Sequence, residues 1–162
     1  MIAWLGLGSN LQDPLAQIEQ ALGRLGKTDG LHILRKSSFY RTPPWGDEQQ
    51  GDFVNAVVEL RTSLEPVPLL HQLQAIEHVM GRQRNDRRWG PRLIDLDLLL
   101  YGDLRFHSHE LDIPHPRMHE RAFVLLPMYE LDDSVEIPGH GEVGQLLKKL
   151  DVSGINRLEH GA

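Results

Sequence analysis

Residues 93–101 read LIDLDLLLY, a run in which aliphatic side chains alternate with two aspartates. Alternation with a period of two is typical of a β-strand that is buried on one face. The pattern therefore predicts a strand whose aliphatic row packs against a core, the row being Ile94, Leu96, Leu98 and Leu100. The carboxylates of Asp95 and Asp97 then project together from the opposite face, about 7 Å apart at the backbone.

The segments on either side of this strand complete an α+β pattern. Strands are predicted at 2–7, 31–40 and 53–61, and helices at 14–26 and 66–81. The order strand-helix-strand-strand-helix-strand predicts a ferredoxin-like βαββαβ sandwich, in which helices pack on an antiparallel sheet. A proline-punctuated loop and helices near 122–131 and 143–150 are predicted to follow. Residues 1–162 show no repeat or linker and are predicted to form a single domain.

Length and composition limit the possible classes of protein. The chain has 162 residues, of which 40% are hydrophobic, as expected for a globular domain of ordinary size. Because it contains no cysteine, disulfides, cysteine-ligated metals and thiol catalysis are excluded. No segment reaches membrane-spanning length and no basic residue precedes the first apolar run, so we expect no membrane partner and a cytoplasmic location. The last ten residues are expected to fray.

Charge is unevenly distributed along the chain. Five arginines fall within residues 82–92 beside a single acid, Asp86, so this window carries +4 in a chain whose net charge is −6. Proteins that bind nucleic acid are normally basic over a whole face, whereas a compact cationic segment on an acidic body suits a small polyanion. We therefore expect small-molecule substrates and no nucleic acid.

The pair Asp95 and Asp97 is the strongest chemical signal in the sequence. Two carboxylates this close repel by on the order of 2 kcal/mol at an effective dielectric of about 20, so they need a positive counterpart. Hard oxygen ligands without neighbouring His or Cys suit Mg²⁺, which also binds phosphate oxygens. A solvated polar face and pairing with the nearby arginines remain alternatives. Magnesium and arginine together are what a polyphosphate requires.

Weaker patterns have simpler interpretations. Residues 6–10, GLGSN, lack the lysine and the spacing of a phosphate-binding loop, so tight packing and a turn are favoured over a ligand contact. The pairs His107/His109 and His115/His119 lack the helical context of zinc motifs, and a phosphate contact is favoured for His115. Arg121 suits the same role, with a surface salt bridge as the alternative.

Several motifs in one order resemble those of the 6-hydroxymethyl-7,8-dihydropterin pyrophosphokinase family of folate biosynthesis. The motifs are RWGPRLIDLDLL (88–99), GSNL (8–11), SFYRTPP (38–44), FVNA (53–56) and IPHP (113–116). The resemblance covers about residues 2–150. It implies transfer of a pyrophosphoryl group from ATP to the hydroxymethyl oxygen of a dihydropterin, with release of AMP.

The resemblance also implies residue roles. Two Mg²⁺ ions would be held by Asp95 and Asp97, and Arg82 and Arg92 would act with them in catalysis. The ATP site would be lined by Gln74, Glu77, Arg84, Trp89, Arg92, Leu98, His115 and Arg121. The pterin site would be formed by Thr42, Pro43, Pro44, Trp45, Phe53, Asn55, Asp95 and Phe123. Within it the Asn55 amide would bind the polar edge of the ring, which would lie between the rings of Phe53 and Phe123.

The chain also differs from the family pattern. Trp45 stands where a smaller aliphatic residue is expected, and some relatives carry tyrosine in place of Phe53. Some relatives also carry a lysine in place of Asn85 and an arginine in place of Glu110, so this chain lacks two cations that those relatives have near the phosphates. A magnesium-dependent nucleotidyltransferase and a ferredoxin-like RNA-binding module are the alternative functions. For the pyrophosphokinase we expect a monomer.

Overall fold

The computed structural model of the protein describes residues 1–43, 52–82 and 93–158, and for Arg82 only the backbone is described. The first part of the fold consists of β1 (Ile2–Ser9), α1 (Pro14–Gly26), β2 (Leu31–Lys36), β3 (Tyr40–Thr42), β4 (Phe53–Thr62), α2 (Pro66–Arg82) and β5 (Asp95–Tyr101). The remainder consists of β6 (Phe106–His107), β7 (Asp112–Ile113), a 3₁₀ helix (Met118–Glu120), α3 (Ala122–Leu131), β8 (Glu136–Ile137), β9 (Gly141–Glu142), α4 (Val143–Leu147) and β10 (Asn156–Arg157).

The main sheet is built around β4, and each of its strand pairs is antiparallel. β1 pairs with β4 on one side and with β5 on the other. β2 and β3 pair with successive parts of the opposite edge of β4, and β10 extends the sheet beyond β3. The predicted α+β class with an antiparallel sheet and packed helices is confirmed.

The extended stretch predicted at 31–40 is two strands. Lys36 pairs with Val58 and Tyr40 pairs with Asn55, so three residues of this segment lie opposite two residues of β4. One extra residue on one strand interrupts the ladder as a β-bulge does. Ser37 bridges the interruption, since its N–H donates to the Val57 carbonyl at 2.8 Å and its Oγ accepts from the Val57 N–H at 2.9 Å.

The two faces of the sheet carry separate hydrophobic clusters. On one face, α1 and α2 cover a cluster that includes the predicted β4 row, Val54, Ala56, Val58 and Leu60. On the other face, α3 and α4 cover a smaller cluster around Trp4, Val57 and Met128. The sheet is therefore the middle layer of the fold. The helices α3 and α4 do not cover one end of the second face, and polar residues lie there.

The prediction for Leu100 is wrong, because it lies in the second cluster and not with Leu96 and Leu98. Leu5 pairs with Leu98 while Trp4 pairs with Leu100, so the strand carries an extra residue at this point. A bulge of one residue reverses the facing of every side chain beyond it. The alternation that begins at Ile94 therefore breaks at Leu99 and Leu100, which both lie in the second cluster.

Helix boundaries follow local capping chemistry. Asp13 caps α1 as expected, because its Oδ1 accepts a hydrogen bond from the Ala16 N–H at 3.3 Å. The helix predicted at 143–150 ends earlier, at Leu147. Among the helices of the described ranges, none combines the length and the apolar character needed to cross a bilayer.

Candidate active site

A polar row crosses three adjacent strands on the second face of the sheet. Gly8 pairs with Asn55 of β4 on one side and with Asp95 of β5 on the other. Residues that oppose each other directly in neighbouring strands project from the same face. Asn55 and Asp95 therefore stand on either side of a position that has no side chain. Two residues along β1, Gly6 pairs with Asp97 in the same way.

A cleft of about 1030 Å³ opens over this row. Of the residues predicted from the sequence, it brings together Thr42, Pro43, Phe53, Asn55, Asp95, Asp97, Arg121 and Phe123. The two aspartates thus share one face and one cleft, as the alternation predicts. A larger groove of about 1420 Å³ on the far side of β2 contains none of the predicted site residues, so the chemistry of the chain points to the first cleft.

Gly8 makes room for the amide of Asn55. A Cβ atom on Gly8 would lie 2.8 Å from Oδ1 of Asn55, which is closer than carbon atoms of real side chains approach an oxygen. Asn55 is 8% exposed, and its Nδ2 donates to Oγ1 of Thr42 at 3.3 Å. Because β1 continues through Ser9, the turn predicted for the glycines of residues 6–10 is wrong, whereas their predicted tight packing is confirmed at Gly8. Gly6 and Gly8 line the cleft, a position that agrees with the alternative prediction of a ligand contact.

Cationic side chains approach the aspartates from the segment before α3. Arg117 and Arg121 line the cleft, and the guanidinium of Arg121 lies 5.7 Å from the centre of the Phe123 ring, within cation–π range. The carbonyl of Arg121 accepts hydrogen bonds from the N–H groups of Val124 and Leu125 at 2.9 and 3.0 Å. The first turn of α3 therefore fixes the backbone of Arg121 at the rim of the cleft.

His115 lies among these charges. Burial lowers the pKa of His115 below its usual value; Asp97 opposes this shift, whereas Arg121 and Arg117 add to it. The Nδ1 atom accepts a hydrogen bond from the Arg117 N–H at 3.1 Å, which leaves Nε2 as the protonated nitrogen of the neutral ring. A neutral His115 can thus donate a hydrogen bond near the aspartates without adding a full charge.

Four of the described residues predicted to bind ATP do not line the cleft. One is His115, which lies beside the lining residues Arg117 and Arg121, and the other three belong to α2 and β5. Gln74 is exposed on α2, and Glu77 on the same helix accepts a hydrogen bond from the Leu96 N–H at 2.8 Å. The side chain of Leu98 is 3% exposed within the cluster under α1 and α2. A contact between ATP and any of these residues stays a prediction from the resemblance.

Some predicted residues cannot be placed. Pro44, Trp45, Arg84, Trp89 and Arg92 lie outside the described residues, and so does the side chain of Arg82. Of the replaced positions, Asn85 also lies outside them, whereas Glu110 is described and its Oε2 lies 3.0 Å from Nε2 of His71 on α2.

The cleft also contains residues that the sequence analysis missed. These are Arg117, Glu120, Leu150, Asp151, Gly154 and Ile155. Arg117 follows the IPHP motif, and that proximity was the available signal. The residues after 150 carried no signal, because the C-terminal segment was expected to fray. Instead β10 pairs with β3, and Gly154 packs against Pro43, with a Cβ atom at that position falling 3.6 Å from the proline ring.

The donor atoms of the cleft fit magnesium. Asp95 is exposed and Asp97 is partly exposed, so both offer carboxylate oxygens to the opening. Within residues 1–43, 52–82 and 93–158, no three His, Asp or Glu side chains converge into a set that could hold a metal ion. Two protein carboxylates suit Mg²⁺, which usually completes its shell with water and substrate phosphates.

Two solved structures that share the fold carry the double name HPPK-DHPS. The chain matches the structure titled HPPK-DHPS in complex with substrates, with a TM-score of 0.73 at 13% identity, over 98% of this chain and 46% of that one. It also matches wild-type HPPK-DHPS of Plasmodium falciparum with pteroate, with a TM-score of 0.73 at 16% identity, over 91% and 42% of the two chains. The chain thus spans less than half the length of these structures, and the likeness concerns the fold.

Sequence relatives of similar length carry a single activity in their names. The chain is 45% identical to the 2-amino-4-hydroxy-6-hydroxymethyldihydropteridine pyrophosphokinase of Methylorubrum extorquens, over 97% of this chain and 98% of the relative. It is 42% identical to the enzyme of the same name from Haemophilus influenzae, over 91% of each chain. The family model for 7,8-dihydro-6-hydroxymethylpterin-pyrophosphokinase matches residues 4–133. The chain belongs to the 7,8-dihydro-6-hydroxymethylpterin-pyrophosphokinase family.

Proposed function

We propose that the cleft over Gly8 is the active site in which this chain transfers pyrophosphate from ATP to 6-hydroxymethyl-7,8-dihydropterin. The chain is a pyrophosphokinase of folate biosynthesis, and the reaction releases AMP. The observation that carries the choice of site is the row Asn55–Gly8–Asp95, which sets a buried amide beside an acidic pair. An amide suits the polar edge of a pterin, and the acidic pair suits a magnesium-bound triphosphate.

The pterin end of the cleft is formed by Asn55, Thr42, Phe53 and Phe123. Asn55 gives one N–H to Thr42, so a second N–H and the carbonyl oxygen remain to bind the amino and oxo groups of the substrate edge. The absence of a Gly8 side chain lets a flat ring approach β1. Phe53 and Phe123 both line the cleft and are proposed to stack on the ring from either side.

The triphosphate end is formed by Asp95, Asp97, Arg117 and Arg121. We propose that the two aspartates hold two Mg²⁺ ions, which when bound would neutralise charge on the triphosphate and lower the pKa of the attacking hydroxyl. The guanidinium groups of Arg117 and Arg121 would bind phosphate oxygens opposite the aspartates. His115 would donate a hydrogen bond from Nε2 to the same oxygens.

The chain contributes orientation more than covalent chemistry. Pyrophosphoryl transfer proceeds by in-line displacement at the β-phosphorus, which requires the hydroxymethyl oxygen and the triphosphate to be held in line. Asn55 and the aromatic pair would hold the pterin, while the arginines hold the phosphates. The roles of Arg82, Arg84, Trp89 and Arg92 remain predictions from the resemblance, and the same holds for Gln74, Glu77 and Leu98.

The products of one incubation test this function. The protein is mixed with ATP, Mg²⁺ and 6-hydroxymethyl-7,8-dihydropterin, and the nucleotides are separated by chromatography. The proposed reaction yields AMP in a one-to-one ratio with pterin diphosphate. Formation of ADP, or of free pyrophosphate as a nucleotidyltransferase would give, contradicts it. The RNA-binding alternative is tested by a salt-dependent RNA titration, in which we expect no saturable binding.

We propose that β1 to β5 with α1 and α2 form a ferredoxin-like core and that residues 1–162 are one domain. The order β5-β1-β4, with β2 and β3 on the far edge of β4, supports the first part. We also propose a monomer, because few large apolar side chains are exposed in the described ranges, namely Met1, Ile2, Val79, Tyr129 and Val152. Light scattering after gel filtration should give one chain per particle. A cytoplasmic location stays a prediction.

A further inference from the structure

Two imidazole rings stack beside the segment that carries the cleft residues Glu120 and Arg121. His119 lies in the 3₁₀ helix, and His140 lies in the turn between β8 and β9. Their ring centres are 3.8 Å apart and their planes differ by 11°, which is the geometry of parallel rings in van der Waals contact. The stack therefore joins the short helix to a hairpin that belongs to a different part of the chain.

The 3₁₀ helix carries side chains of the cleft. Arg117 precedes it, Glu120 ends it and Arg121 follows it, and all three line the cleft. A helix of three residues has little stability of its own. Its N-cap residue Arg117 makes no side-chain capping bond, although the Arg117 N–H donates to Nδ1 of His115. Met118 is fully buried, so the core anchors one side of the turn and the stacked ring of His119 anchors another.

The His119 ring stacks on His140 and lies near the carboxylate of Glu120. Its Nδ1 is buried and has no hydrogen-bond partner among the described residues, and its Nε2 lies 3.7 Å from Oε1 of Glu120. A ring held by an aromatic neighbour and not by a hydrogen bond depends on that neighbour for its orientation. Loss of the His140 ring would therefore free the His119 side chain and loosen the 3₁₀ helix that separates Arg117 from Arg121.

We propose that His119 and His140 are positioning residues, a ring pair that orients Arg117 and Arg121 toward the triphosphate and that separates when both rings are protonated. This inference rests on the proposed function, in which those two arginines bind phosphate oxygens. It assigns no contact between either histidine and a substrate.

The charges around the pair restrict double protonation to acidic solution. Burial lowers the pKa of His140, and His119 and Arg105 act in the same direction, whereas Glu120 opposes them. Arg105 comes from the segment before β6, and its guanidinium occupies the space that a side chain on Gly139 would need. Two stacked cations would repel each other, so the pair is stable while at least one ring is neutral.

The test compares His140→Ala with His140→Phe, which retains a ring that cannot be protonated. KM for ATP and kcat are measured at saturating pterin and Mg²⁺ between about pH 5 and pH 8. At neutral pH, His140→Ala should raise KM for ATP by about two- to tenfold with a smaller change in kcat, the range that one aromatic pair supports. His140→Phe should have the KM for ATP of the wild type at neutral pH. As the pH falls, its kcat/KM should decrease less than that of the wild type. His32→Ala, on the exposed part of β2, is the control and should match the wild type.

Two outcomes overturn the inference. One is a His140→Ala variant whose KM for ATP equals that of the wild type. The other is a His140→Phe variant with the acidic decline of the wild type, and this comparison decides the matter even when His140→Ala fails to fold. Arg121→Ala separates this inference from the proposed site. If Arg121→Ala raises KM for ATP and His140→Ala does not, the proposed role of the ring pair is wrong and the proposed triphosphate site is supported. If neither variant raises KM, the proposed triphosphate site is wrong as well.

Discussion

Oε2 of Glu77 accepts a hydrogen bond from the backbone N–H of Leu96 at 2.8 Å. Leu96 lies between Asp95 and Asp97 on β5, which pairs with β1 on one side and forms the edge of the described sheet. The Leu96 N–H points away from β1, and α2 supplies its acceptor. Glu77 therefore links α2 to the part of β5 that carries both carboxylates.

Replacing Glu77 tests this hydrogen bond between α2 and β5. Glu77→Ala should lower the free energy of unfolding by about 1–3 kcal/mol, because it leaves a partly buried donor without its partner. Glu77→Gln keeps an acceptor oxygen and should lose less. Urea denaturation measures both variants, and equal stability of the two would contradict the assignment. The Mg²⁺ concentration needed for half-maximal activity should rise more in Glu77→Ala than in Glu77→Gln.

The acidic pair should matter for activity and little for stability. Asp95→Ala and Asp97→Ala should each lower turnover by more than about a hundredfold, since each removes a proposed metal ligand. The free energy of unfolding should change by less than about 1 kcal/mol, because both side chains project into the cleft and not into the core. AMP formation and urea denaturation are measured in parallel. Near-native turnover in either variant would rule out the metal role.

Gly8→Ala should weaken pterin binding selectively. The new methyl group would meet Oδ1 of Asn55, so the amide must rotate away from its hydrogen bond with Thr42. KM for the pterin should rise by about tenfold, as expected when one buried hydrogen bond to the substrate is lost, with KM for ATP less affected. Gly23→Ala is the matched control, because no atom lies within 4 Å of a Cβ at that helical position. Equal pterin affinity in the two variants would contradict the role of Gly8.

The Tyr40 hydroxyl should make stability depend on alkaline pH. Tyr40 donates to Oε1 of Glu130 at 2.6 Å, and burial, followed by this hydrogen bond, raises the pKa of Tyr40 above its usual value of 10.0. The folded state therefore retains a proton that the unfolded chain releases, so stability falls as pH rises above about 10. Tyr40→Phe should be less stable at neutral pH and should show a weaker alkaline decline.

Thermal unfolding between about pH 8 and pH 11 measures this decline. Tyr129→Phe is the control, since it removes the same hydroxyl group from a side chain that is 45% exposed. Tyr101, which also has a raised pKa because of its burial, contributes equally in both variants. A Tyr40→Phe variant with the same alkaline slope as the Tyr129→Phe control would show that the Glu130 contact does not hold the proton.

Local patterns were sufficient for most helices and long strands and for the identity of the acidic pair, but not for the interruption between β2 and β3 or for the end of α4. The alternation around Asp95 and Asp97, the cap at Asp13 and the row of β4 depend on periodicity within a few residues, and the structure agrees with each. The face of the sheet on which Leu100 lies could not be predicted, because the bulge that changes it depends on the register between β1 and β5. Register is a property of two strands, so neither strand encodes it alone.

Sequence alone thus determined which residue types carry the chemistry, since hydrophobic period, charge and motif are local properties of the chain. The tertiary structure determined which of these residues lie close together. Asn55 and Asp95 lie 40 residues apart and become neighbours only because Gly8 pairs with both. In the same way, β10 brings Gly154 to Pro43 and the hairpin turn brings His140 to His119. Each contact joins segments whose approach is set by the packing of the whole sheet and its helices, and such packing has no local signature.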